Sequence, residues 1–278
     1  MVHVEIAAEK LFELGPLIVT NSMVGALLAS LVLLLATRWF TRRAGIVPSR
    51  GQSIIELPIE LLAGIVRGAG GKRWRQFAPL VIGIFLYVLV ANWLSLLPGV
   101  GTIGLGEEVD GKQVIVPFVR AGAADLNFTL GLALISFVAF IAFGFRANGA
   151  RGYLKELLIA EPGYMTPLLT PIHIISELSR VISLSMRLFG NVFAGEVLLA
   201  TMLALTTATL FMLPLAFVIP SVFIGLELIF GLVQALVFAL LSMTYITLAI
   251  AEHRQHGSDH HESGDSPEQA GAPANGAA

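Results

Sequence analysis

The chain has 278 residues, 56% of them hydrophobic and 13% charged, with a net charge of −2 and no cysteine. Soluble domains reach about 45–50% apolar residues even with glycine counted, so the composition predicts one polytopic membrane domain, although the length would allow two soluble domains. The same values exclude a basic nucleic-acid-binding surface, disulfides, thiolate metal sites and cysteine nucleophiles.

Residues 1–15 carry Glu5, Glu9 and Glu13 and lack the basic start of a cleavable signal peptide. A membrane domain over 16–252 follows. Its first span is expected at about Leu17–Ala36, trailed by Arg38, Arg42, Arg43 and Arg50. Ser53–Val66 is too short to cross a bilayer, and Glu56, Pro58 and Glu60 interrupt it, so it is expected to be an interfacial amphipathic helix. Gly68–Gln76 reads as a glycine-rich turn. The second span is Phe77–Leu97, ended by Pro98 and Gly99. Val100–Asp125 reads as a glycine-rich loop, Leu126–Phe145 as the third span and Arg146–Leu158 as a polar connection.

Two long apolar segments remain, Ile172–Leu205 and Ser221–Ala251, of 34 and 31 residues. At about 1.5 Å per residue they run roughly 47–51 Å against a hydrocarbon core of about 30 Å. Straight helices of that length would tilt by roughly 50°, against an average of about 20°. Pro214 and Pro220 suit a turn between them. The predicted fold is all-α, with five crossing helices and one interfacial helix, the last two a long, strongly tilted hairpin. The tail from His253 to Ala278 is polar and aperiodic and is expected to be disordered.

Loop charges set the orientation. Eight Lys and Arg lie between Arg38 and Arg75, three between Arg146 and Lys155, and Arg254 follows, which makes 12 against Lys10, Lys112 and Arg120 on the other side. The N-terminus is then outside and the C-terminus cytoplasmic.

Arg187 stands mid-way along the fourth span. A guanidinium is always protonated, and at a bilayer centre it costs at least about 2.5–3.5 kcal/mol, which usually marks an ion pathway or a buried counter-charge. Ser183, Arg187 and Asn191 share one helix face. Glu196, nine residues beyond Arg187, falls on roughly the opposite face and about 13 Å further along, so a bridge between them within the helix is not expected. Glu177 and Arg180 suit an ordinary helix pair. Glu227 and Gln234, seven residues apart, share a face of the last span; Gln234 suits either interhelical hydrogen bonding or an ion path. His173 lies on the inner side of Arg187, Glu196 and Glu227 on the outer side. No phosphate-binding loop, nucleophile elbow or zinc-protease motif is present, and neither cofactor nor metal is expected.

The string SLSMRLFGNVFAGE (Ser183–Glu196) resembles the most characteristic motif of the F-type ATP synthase a subunit, bacterial type. NWLSLLPG (Asn92–Gly99), ADLNFTLGLAL (Ala124–Leu134), LVQALVFALLSMTYI (Leu232–Ile246) and AEH (Ala251–His253) match in the family's order. The resemblance implies a non-catalytic subunit in the bacterial cytoplasmic membrane, working with a c-subunit ring and the b subunits of the peripheral stalk. It would couple proton flow to rotation through two offset half-channels. Arg187 would face the c-ring carboxylate. Asn191, Glu196, Glu227, Gln234 and Asp125 would serve the outer half-channel, and His173, Ser176 and Glu177 the inner one. Some relatives carry an acid where His173 stands and a histidine where Glu227 stands. The alternatives are a sodium-coupled member of the same family and, from a different class, a stand-alone secondary transporter, which would be expected to show internal repeats.

Overall fold

The computed structural model describes residues 8–43, 50–97, 100, 101, 103–109, 112–149, 166–208 and 215–258. Six helices carry the fold: α1 Asn21–Arg43, α2 Arg50–Gly70, α3 Trp74–Ser95, α4 Leu126–Asn148, α5 Thr166–Ala208 and α6 Leu215–Ser258. Five of them, all but α2, are long and apolar enough to cross a membrane. The polytopic, essentially all-helical architecture expected from composition is therefore present.

Two small hairpins sit at one end of the bundle. Strand β1 (Lys10–Leu14) pairs antiparallel with β2 (Leu17–Thr20) across Gly15, whose φ of 62° is the left-handed turn conformation. The residues Leu17–Thr20, read from sequence as the opening of the first span, are thus strand, and the helix starts at Asn21. β-Branched Ile18, Val19 and Thr20 favour that outcome. Strand β3 (Gly104–Val109) pairs antiparallel with β4 (Lys112–Pro117) inside the stretch expected to be loop. There Val114, Ile115 and Val116 supply the β-branched run.

Helix α3 is the centre. Phe77, Val81, Ile84, Phe85, Val88 and Asn92 recur at three- and four-residue spacing and are all buried. Leu62 and Val66 of α2 join the same core as Phe77 and Val81. Helix α1 packs through a stripe of small residues at its start, Ser22, Gly25 and Ala29, while none of its described residues beyond 30 is buried. Hydroxyl pairs join the other helices: Thr129 to Ser185 at 3.1 Å between α4 and α5, and Ser242 to Ser136 at 3.2 Å between α6 and α4. Such small polar contacts suit helices that gain little from hydrophobic burial in lipid.

Helices α5 and α6 have 43 and 44 residues, and pack against each other and against α4. Pro220 corrects the sequence reading: it lies inside α6, at its sixth residue, rather than in the preceding turn. Pro171 holds the same position in α5. A proline this near a helix start forfeits one backbone bond without ending the helix. Pro214, residues 150–165 and the tail beyond 258 lie outside the described residues.

Candidate functional site

Arg187 is exposed near the middle of α5. The opposite face is buried through Val181, Leu184, Ser185, Leu188 and Val192, which fixes the direction in which Arg187 points. Ser179, Ser183, Gly190 and Ala194 share the exposed face with it, flanked by Ile182 and Met186. Among the described residues Arg187 makes no ion pair or hydrogen bond. A permanent cation therefore stands on an apolar face, in a stripe of small side chains that lets another helix come close. Asn191 is half-buried at the edge of this stripe.

The hairpin end of the bundle holds most of the remaining polar groups. Arg120, from the segment joining β4 to α4, is 5% exposed and reaches Glu196, which is 28% exposed. Its Nε donates to both carboxylate oxygens at 3.2 Å, and Nη2 donates to Oε2 at 3.1 Å. Thus Glu196 does pair, but with a distant loop and not with Arg187. Residue 195, just before it, must be small: a Cβ on Gly195 would overlap the Glu227 carboxylate. That contact brings the half-buried Glu227 of α6 against the α5 backbone beside Glu196. Among the described residues Glu227 forms no ion pair or hydrogen bond.

Asp125 caps α4, accepting from the backbone N–H of Asn127 at 2.9 Å, and accepts from the Ser22 hydroxyl of α1 at 2.6 Å. It is buried, and these contacts bind α1 to α4 at the same end. Asn21, also buried, donates to Glu9 at 3.0 Å. Deeper in the bundle, Asn92 of α3 donates to the Gly231 carbonyl at 3.2 Å, and Gln234 is buried one turn further along α6. The Asn92 Oδ1 and Gln234 Nε2 atoms are buried with no hydrogen-bond partner among the described residues. Interhelical hydrogen bonding therefore does not account for the amide nitrogen of Gln234. Buried polar atoms of this kind are normally served by water or a mobile ligand.

At the opposite end Glu177 is buried and lies 2.8 Å from Arg180 Nη1, an ionic contact without hydrogen-bond alignment. His173 Nε2 is 4.0 Å from the same carboxylate oxygen. The Arg180 guanidinium lies 5.2 Å from the centre of the Tyr245 ring. Glu177, Arg180, Tyr245 and Ser136 line a cavity of about 20 Å³, the scale of one or two water molecules. His173 and Glu177 thus come together, whereas Ser176 points out on the exposed face.

The sequence reading did not single out Arg120, Asn92 or Ser22 as functional. Arg120 counted there only as an outer loop charge, and nothing local distinguishes it. Asn92 carries a signal, being an amide at the end of an otherwise apolar span.

Five crossing-length helices, a lone cation on an exposed face and carboxylates towards both ends define a multi-pass ion-translocating membrane protein. The chain belongs to the ATP synthase A chain family, which it matches over residues 22–247. It is similar to ATP synthase subunit a of Gloeobacter violaceus, 34% identical over 91% of this chain and 93% of that protein. It resembles ATP synthase subunit a 2 of a Bradyrhizobium species at 32% over 86% and 93%. A third relative is the subunit a of Propionigenium modestum, described as sodium ion specific, at 32% over 84% and 75%.

Proposed function

We propose that this chain is the non-catalytic stator of a proton-driven rotary ATP synthase in a bacterial cytoplasmic membrane, offering two offset half-channels to a ring of c subunits. The observation that carries this reading is Arg187: exposed, unpaired among the described residues, and set in a small-residue stripe. A c-ring carboxylate passing the stripe supplies the missing counter-charge. The fixed cation also separates the two half-paths, because a proton crossing directly would have to pass it.

The outer path runs along Asp125, Glu196, Glu227, Asn191 and Gln234. Support comes from the shared hairpin end of Asp125, Glu196 and Glu227 and from the unsatisfied amide of Gln234 deeper in the bundle. The inner path opens at His173, Ser176 and Glu177; support comes from the small cavity that Glu177 lines with Arg180 and Tyr245. The hairpin end faces outside and the C-terminus the cytoplasm, an orientation that the loop charges support. Helices of 43 and 44 residues are roughly 65 Å long, which suits a strong tilt along the curved wall of a ring. The b subunits would bind away from the Arg187 face.

Similarity to a relative described as sodium ion specific keeps sodium coupling as a second reading. The ion-binding carboxylate belongs to the c subunit, so the whole complex must be tested. ATP-driven acidification of vesicles containing that complex is expected to proceed at an unchanged rate without sodium. A strict sodium requirement would establish the second reading, and transport by the isolated chain without a c-ring would contradict both.

A further inference from the structure

Glu196 and Glu227, neighbours in the outer path, have different surroundings. Both oxygens of Glu196 are taken up by N–H donors of Arg120, whereas Glu227 lies against the bare backbone of Gly195 with no fixed partner among the described residues. Arg120 itself is firmly placed. Its backbone N–H donates to the Asn21 carbonyl at 3.3 Å, and a Cβ at Gly25 would overlap its carbonyl oxygen. Two residues on, Gly122 packs against Ala26. The Arg120 backbone is therefore anchored on the start of α1, and its guanidinium projects to α5, where it meets the residue next to the floor beneath Glu227.

We infer that Arg120 is a positioning residue of the outer half-path: it holds Glu196 as a fixed counter-charge, and Glu227 alone receives and passes on the proton. This rests on the outer path proposed above and deepens it by dividing the work between Glu196 and Glu227. A carboxylate engaged through both oxygens must break its ionic contact with Arg120 before it can take a proton. A carboxyl on a glycine floor needs only to turn. The Arg120–Glu196 pair also fixes the α5 backbone at Gly195, which sets where the Glu227 carboxyl rests.

The test uses the whole ATP synthase in vesicles, reading the amount of assembled complex and its ATP-driven proton pumping. Because removing Arg120 leaves the half-buried Glu196 without its counter-charge, Arg120→Gln is expected to slow pumping about 10-fold or more while assembled complex is still recovered. Arg120→Lys should restore much of the rate. The double variant Arg120→Gln with Glu196→Gln, in which both charges are gone, should return to within about 3-fold of the parent. Glu227→Gln should lose about 100-fold or more in every one of these backgrounds. A double variant that assembles at the parental level yet pumps as poorly as Glu227→Gln would show that Glu196 carries protons, and would overturn the inference. So would parental pumping by Arg120→Gln, or failure of both the double variant and Arg120→Lys to assemble. Parental pumping by Glu227→Gln would instead remove the outer path itself, a separate failure.

Discussion

Substitution of Arg187 by alanine is expected to abolish ATP-driven proton pumping in the assembled complex. An opposite charge at about 4 Å contributes about 4 kcal/mol at an effective dielectric of 20, which at about 1.36 kcal/mol per tenfold corresponds to a rate loss on the order of a thousandfold. Folding should be spared, since Arg187 is exposed and binds no described residue. Normal amounts of complex with no pumping are the expected result, measured by gel and by a pH-sensitive dye. Arg187→Lys should restore little, because a flexible ammonium does not reproduce the planar, delocalised fork. Coupled pumping near the parental rate in Arg187→Ala would refute the stator role.

The second large effect is expected at Glu227. Removing a positioned acid–base group typically costs about 100- to 10,000-fold, so Glu227→Gln should nearly stop proton transfer in both directions, synthesis as well as ATP-driven pumping. Glutamine keeps the shape of the side chain and its contact with Gly195 while removing the ionisable carboxyl. The measurement is acidification by ATP and, separately, ATP synthesis driven by an imposed proton gradient. Loss of one direction alone would mean that Glu227 acts on a conformational step and not on the proton path.

Arg187 was legible in the sequence because a permanent charge inside a 34-residue apolar run has no ordinary explanation. Its spacing from Glu196 also argued against a bridge within the helix, and Glu196 indeed meets a different cation. Which cation was not legible. Helical periodicity reports faces of one helix, whereas Arg120 lies 76 residues from Glu196 in sequence. The contact between Ser22 and Asp125 spans 103 residues and was hidden for the same reason. At Leu17–Thr20 hydropathy alone could not separate a strand from the first turn of a span, and the β-branched residues decided it. Pro220 misled because proline was weighed as a breaker, although near a helix start it is tolerated. The small-residue stripe around Arg187 was visible only in part, through Ser183 and Asn191. Burial on the other side of α5 was needed to show that Ser179, Gly190 and Ala194 belong to the same open face.

The direct test of the central claim is the contact between that open face and the c-ring. The chain contains no cysteine, so single cysteines report cleanly. Ser183→Cys or Ala194→Cys, paired with a cysteine beside the c-subunit carboxylate, is expected to form a disulfide under mild oxidation in assembled complex. Leu184→Cys, on the buried side of α5, is expected to form none. Linkage through Leu184→Cys, or no linkage from either exposed position in an assembled complex that pumps protons, would contradict the placement of Arg187 against the ring.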